Sequence, residues 1–296
     1  MSNDTLSFEI AGGALELVGP THTINALRPY LMGFPLQPES KPIRVALREY
    51  PQPPRQLPRG RIPEVVSTAD HDTLHLTDVY KLDLDRVMHR GTLDYFRYGA
   101  AFPKEAPKAP WLALKAYFSL HALQSNGLLI HASALNLNST GIIFAGVSGA
   151  GKSTIAGMFP KKTVINDDIV FLSMREDGLY IVSTPFTSTP DIQRRHVEAP
   201  AQWGFSLEQG EPLTLTSLSP DKAFRLLLRS TIAPQNQQWE TLAFKRSHRF
   251  TQHLKWGNIR FPLQPASVVQ KIMHLPNNIP PNWTVQEDYK TEEALD

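Results

Sequence analysis

The residues best suited to chemistry form one run, Gly146-Val147-Ser148-Gly149-Ala150-Gly151-Lys152-Ser153-Thr154, which satisfies G-x-x-x-x-G-K-[ST]. Each residue type there has a physical purpose. Glycines let the backbone curl until successive N–H groups point at one phosphate. Lys152 carries a fixed positive charge to the β- and γ-phosphates, and the Ser153 hydroxyl is a hard oxygen donor for magnesium. The run predicts binding of a nucleoside triphosphate, with ATP and Mg2+ as the expected cofactors. The apolar strand-like run Ile142–Ala145 leads into it. A short helix predicted over Ser153–Phe159 leads out and closes at Pro160, and its N-terminus favours negative charge.

Two further features lie close by in the chain. Asn166-Asp167-Asp168 stands between the apolar runs Val164-Ile165 and Ile169–Leu172. Acids at a strand end beside a phosphate loop can hold magnesium, directly or through water, and can take a proton from an attacking hydroxyl. Only 15 residues separate Lys152 from Asp167, enough for one short helix and one short strand. His131, in Leu129-Ile130-His131-Ala132-Ser133-Ala134, precedes Lys152 by 21 residues. Taken alone it reads as a core histidine in an apolar strand. The wording SGAGKST is similar to ABC transporter ATPases, but their LSGGQ-type signature and their long apolar strand ending in Asp-Glu are absent.

These residues must be positioned by an α/β scaffold. Leu128–Leu137 and Gly141–Ala145 read as two strands of a hairpin turning at Asn138–Gly141. Thr163–Ile165, Ile169–Met174 and Leu179–Ser183 are strand-like, and so is Asn258–Leu263. Helices are expected at Trp111–Gln124, Asp221–Thr231 and Ala266–Met273. In the first hundred residues Leu6–Ile10, Leu15–Val18 and His71–Leu84 alternate with period two, which predicts half-buried strands. Seven prolines between Pro38 and Pro63 predict an irregular connection with at most an edge strand at Ile43–Leu47. The expected organisation is a β-rich N-terminal domain over residues 1–105, a phosphate-loop domain over 106–275, and an irregular tail over 276–296.

Together, LLIHASALNLNSTGIIFAGVSGAGKST and INDDIVFL resemble the C-terminal kinase domain of the HPr kinase/phosphorylase family. That wider family includes the kinases of lasso-peptide precursors and shares a nucleotide-binding core with phosphoenolpyruvate carboxykinase. The resemblance covers Leu128–Leu172 and extends more weakly to about Met273. It implies an α/β, P-loop kinase domain of HPr-kinase/carboxykinase type behind a small β-rich domain. It implies that Lys152 binds the β/γ-phosphates and Ser153 the magnesium, with Asp168 as a further magnesium ligand. Asp167 or Asp168 matches the family's catalytic base, and His131 its active-site histidine. The implied reaction is magnesium-dependent transfer of the ATP γ-phosphoryl group to a Ser or Thr hydroxyl of a small protein or peptide, by a homo-oligomer. Ser183-Thr184-Pro185-Phe186 stands where the family has a glycine-rich stretch, so the implied activity is kinase rather than phosphorylase. A small-molecule alcohol kinase and a nucleotide-binding regulator with little catalysis are the alternative readings.

Composition narrows the partners. The chain has 296 residues, 41% hydrophobic and 20% charged, and its formal net charge is only +2. That balance leaves no electrostatic footprint for nucleic acid. No apolar run approaches the 18 or so residues of a membrane span, and MSNDTLSFEI lacks a basic n-region followed by an apolar core, so no signal peptide is expected. Cysteine is absent, which excludes a thiol nucleophile and fits a cytoplasmic setting. Weaker signals are Arg194-Arg195-His196, read as a basic turn or as arginines on a phosphoryl group, and Lys245–Arg249, read as surface or as a seat for an acidic peptide. Arg225 and Arg229 lie four apart on a helix. Trp111, Trp203 and Trp239 are expected in the core.

Overall fold

A computed structural model describes residues 2–51, 63–76, 79–97, 108–147, 149–189, 192, 194–262, 268–269 and 272. The chain is mixed α/β and builds two sheets. Strands β1 (Asn3–Ile10) and β2 (Gly13–Pro20) pair antiparallel around Ala11-Gly12, whose φ values of 49° and 81° suit a two-residue hairpin. Helix α1 (Thr21–Leu31) follows and buries Ile24, Leu27 and Leu31 on one face. Then come β3 (Ile43–Pro51), β4 (Glu64–Ser67), β5 (His71–Leu76), β6 (Tyr80–Asp85) and β7 (Arg90–Arg97). Their order is β1-β2-β3-β7-β6-β5-β4, with β3 parallel to both β2 and β7. The edge strand expected at Ile43–Leu47 is therefore an interior strand. Pro42 precedes it and Pro51 ends it, so every N–H that its ladder needs is present.

Helix α2 (Lys108–Gln124) is apolar nearly all round, as a helix buried on every side must be. It packs between the two sheets, and one continuous core joins Phe8, Leu74 and Leu93 of the first to Ile130, Phe171 and Ile181 of the second through Leu114 and Phe118. The second sheet holds β8 (Gly127–Leu137), β9 (Thr140–Ala145), β10 (Val164–Asn166), β11 (Ile169–Arg175), β12 (Gly178–Val182), β13 (Glu198–Gln209), β14 (Thr214–Ser217) and β15 (Lys255–Phe261). β8 pairs first with β11 and then with β9, while β13 pairs first with β12 and then with β9. β8, β11, β12, β13 and β9 thus form a closed circuit of pairings. Helix α3 (Lys152–Gly157) packs on the opposite side of this sheet from α2, in a second core with Phe144, Phe205 and Phe261. Helices α4 (Pro220–Ser230) and α5 (Gln237–Thr251) lie between β14 and β15, α5 being capped by Asn236 Oδ1, which accepts from Gln238 N.

Several expectations fall outside the described residues: Ser148, residues 52–62 of the proline cluster, the expected boundary at 105/106, Leu263, most of the helix at Ala266–Met273, and the tail from Pro276.

His121 joins the layers. It lies on α2, donates from Nε2 to the Ala11 carbonyl at 3.1 Å, and sits among Tyr117, Phe118 and Phe171. Burial holds its pKa below the ordinary histidine value of 6.5. The unfolded chain therefore binds this proton more readily than the fold does. This contribution to stability is complete above about pH 6.5 and is lost as pH falls towards the lowered folded value. The urea midpoint is expected to drop between pH 7.5 and 5.5, and His121→Gln is expected to flatten that drop. An unchanged pH slope in the variant removes His121 from the account.

Candidate functional site

The change of partner along β8 assembles the site. His131 is the last β8 residue before the switch and pairs with Ile169 of β11. Ala132 then pairs with Ala145, the last residue of β9, after which the glycine loop begins. Ala132 N also donates to the Asp168 carbonyl at 2.9 Å. His131, the start of the loop and the Asp-Asp turn thus meet at one seam in the sheet.

The loop Gly146–Gly151 needs its glycines. Gly149 and Gly151 have φ of 84° and 98°, and a Cβ on Gly151 would come within 2.7 Å of the Phe261 ring. The helix after it is α3, Lys152–Gly157, rather than Ser153–Phe159. It begins one residue earlier and stops before Phe159, which packs into the core. Lys152 is buried, and its ammonium donates to the carbonyls of Gly146 and Val147 at 3.0 and 3.1 Å. Burial pulls its pKa below the usual lysine value, while the Asp168 carboxylate opposes that pull. Ser133 Oγ donates to the Lys152 carbonyl at 3.0 Å, tying the helix start to β8. Thr154 is exposed.

The two aspartates have different surroundings. Asn166 is fully buried; its Oδ1 accepts from Asp168 N and Ile169 N, and its Nδ2 donates to the Thr184 carbonyl. This side-chain turn fixes the backbone of the pair. Asp167 is 1% exposed. Its carboxylate accepts from Ser188 N at 3.0 Å, Ser188 Oγ at 2.6 Å, Thr189 N at 2.9 Å and Thr189 Oγ1. Ser188 Oγ in turn lies 3.3 Å from Ser153 Oγ, and Ser153 Oγ donates to the Asp167 carbonyl. Asp168 is open to solvent, with 27% of its side chain exposed, and its Oδ1 lies 3.0 Å from His131 Nε2. Among the described residues, no other side chain forms a hydrogen bond or ion pair with the Asp168 carboxylate. His131 is 40% exposed and is no core histidine.

Three residues at the site carry no motif. Ser188 and Thr189 hold Asp167 through a loop whose pairing depends on the fold. Lys115 reaches the site from α2. Its ammonium lies 5.7 Å from the centre of the Phe186 ring, and Asp168 is the charge that acts on it. A lysine within the apolar run Trp111–Phe118 was a visible signal. The other candidate cations bond to other groups, Arg194 donating to the Pro185 carbonyl. Arg194 stacks over Tyr30 at 4.6 Å, Arg195 donates to the Lys162 carbonyl, and His196 approaches Glu198. Arg225 pairs with Asp221 on the exposed face of α4. Of the run Lys245–Arg249, all within α5, Arg246 turns inward and donates to the carbonyls of Ala122 and Gly127. Trp203 and Trp239 are buried, and Trp111 is half-buried against Phe186.

No family model matches the sequence, and no curated protein matches it. Among solved structures, the HPr(Ser) kinase/phosphatase from Coxiella burnetii aligns with 49% of this chain and 92% of its own, at 11% identity and a TM-score of 0.26. A likeness that slight does not bear on function.

Proposed function

We propose that the chain is a magnesium-dependent kinase that transfers the γ-phosphoryl group of ATP to a Ser or Thr hydroxyl of a small protein or peptide. The observation that carries this reading is the division of labour at Asp167-Asp168. Asp167 is saturated by four protein donors, whereas Asp168 is solvent-accessible, held by His131, and close enough to act electrostatically on the lysine of the glycine loop. A general base needs an accessible, oriented acceptor near its substrate, and Asp168 meets that description. Exposure of the His131–Asp168 pair also favours a macromolecular acceptor over a small alcohol enclosed in a pocket.

Ser153 and Asp168 offer the hard oxygen donors that magnesium takes together with substrate phosphates. Ser153 would hold the ion directly and Asp168 through water, which leaves that carboxylate basic. Bound magnesium supplies charge neutralisation on the phosphates. The loop N–H groups and Lys152 would bind the β- and γ-phosphates. His131 orients Asp168, and Asp168 takes the proton of the acceptor hydroxyl. The acceptor oxygen then bonds to the γ-phosphorus as the bond to the β-phosphate oxygen breaks, and ADP leaves. Positioning and charge stabilisation supply most of the rate, as phosphoryl transfer requires.

The test is label transfer from γ-labelled ATP, with magnesium, to a panel of Ser- and Thr-containing peptides. The wild-type chain is expected to label a peptide hydroxyl. Lys152→Met is expected to slow transfer by about 10^2-fold or more, since it removes a preorganised charge from the phosphates. ATP binding without transfer to any acceptor would leave a nucleotide-binding regulator as the better reading.

A further inference from the structure

Lys115 is an unusual residue for its place. Its neighbours along α2 are Trp111, Leu112, Ala113, Leu114, Ala116, Tyr117 and Phe118, and the helix lies between two sheets. A cation half-buried there loses hydration, which costs free energy unless a partner replaces it. Among the described residues no carboxylate is in ion-pair contact with Lys115. Its neighbour is the face of Phe186, a fully buried ring braced edge-on by Trp111 at 4.9 Å. The Phe186 carbonyl accepts from Ile169 N, next to Asp168 in the chain. Lys115, the Phe186 ring and the backbone next to Asp168 are therefore neighbours. Lys152 comes to the same carboxylate from α3, on the other side of the sheet. Two amines from opposite layers thus act on one carboxylate, and the second carboxylate is spent on Ser188 and Thr189. The charge balance there, two amines against one uncommitted carboxylate, favours a further anion.

We propose that Lys115 is a second phosphate-binding cation, whose ammonium neutralises the terminal phosphoryl group of the bound nucleoside triphosphate during transfer. The proposal rests on the kinase reading above. It assigns to α2 the part that an arginine finger plays in other phosphoryl-transfer enzymes. A group that meets only the terminal phosphate should distinguish triphosphate from diphosphate, whereas a group that merely supports the fold should not.

The experiment measures magnesium-ATP and magnesium-ADP affinity by calorimetry for the wild-type chain, Lys115→Met and Lys115→Arg, beside transfer from γ-labelled ATP. Melting curves establish that each variant is folded. Lys115→Met is expected to weaken ATP about tenfold and leave ADP unchanged, and to slow transfer by about 10^2-fold or more. Lys115→Arg is expected to recover most of both. If wild-type protein binds ATP and Lys115→Met keeps its preference for ATP over ADP, the assignment of Lys115 is wrong and the kinase reading stands. If the wild-type chain binds neither nucleotide, the kinase reading fails and this assignment fails with it.

Discussion

Asp168→Asn is expected to stop phosphoryl transfer while leaving the protein folded and able to bind ATP. Asparagine keeps the shape of the side chain, and its carbonyl oxygen can still accept from His131 Nε2. Basicity and negative charge are what it loses. A positioned general base contributes roughly 10^2 to 10^4 in rate, so kcat should fall by about 10^3, or about 4 kcal/mol of barrier. The sign for binding is different. Among the described residues Asp168 is the carboxylate acting on both Lys115 and Lys152, and it would repel nearby phosphates. Removing its charge should leave ATP affinity unchanged or slightly tighter, unless its water-mediated hold on magnesium dominates. Calorimetry with and without magnesium separates those two contributions. His131→Ala should cost less, about 10-fold in kcat, because Asp168 keeps its charge and loses only its orientation. Normal transfer by Asp168→Asn would remove the base from the mechanism.

Much of the site was legible because it is local. The glycine spacing, the apolar strand before it and the Asp-Asp pair after a short helix all fall within Leu128–Leu172. The hairpin of β8 and β9 carries the same boundaries that period and turn residues predict, within a residue. What was not legible depends on contacts between distant segments. Nothing in the dipeptide says which aspartate is exposed; Ser188 and Thr189 decide that from the far end of the next hairpin. Lys115 becomes relevant only when α2 is laid between two sheets. β13 was missed because Pro200, Gly204 and the small residues Ala199 and Ala201 weaken its strand signal. Its alternation of buried Ala199, Ala201 and Trp203 with Glu198, Pro200 and Gln202 was readable nonetheless. In α5 the basic run Lys245–Arg249 obscured a helical spacing of Trp239, Ala243, Ser247 and Phe250, all buried. Helix α1 was obscured by Pro20 and Pro29, and its start has neither a side-chain cap nor an acidic first turn. In β13 and α1 local propensity opposed the element and burial decided it.

The contrasting prediction concerns Asp167, which should behave as a residue of the fold rather than of the reaction. Asp167→Ala removes the acceptor of two backbone N–H groups and two hydroxyls in a site that is 1% exposed. The hydroxyls can rotate to other acceptors or to water, but the N–H groups of Ser188 and Thr189 cannot. Ser188 is exposed and Thr189 half-buried, so water can replace part of what is lost, but four bonds to a carboxylate go at once and the loss should be about 2–3 kcal/mol. Asp167→Asn should recover only part of it, because its amide places a donor against one of the same donors. Denaturant midpoints measure both. The coupling is specific: in Ser188→Ala the same substitution at Asp167 should cost measurably less, since one partner is already gone. Transfer should also weaken, but through placement of Ser153, whose hydroxyl meets Ser188 Oγ and the Asp167 carbonyl. That loss should appear in the KM for magnesium-ATP more than in kcat. The two aspartates therefore make opposite predictions, lost chemistry with an intact fold at Asp168 and lost stability with residual chemistry at Asp167. A fully stable Asp167→Ala protein that binds ATP but cannot transfer would exchange the two roles and leave His131–Asp168 as a surface ion pair.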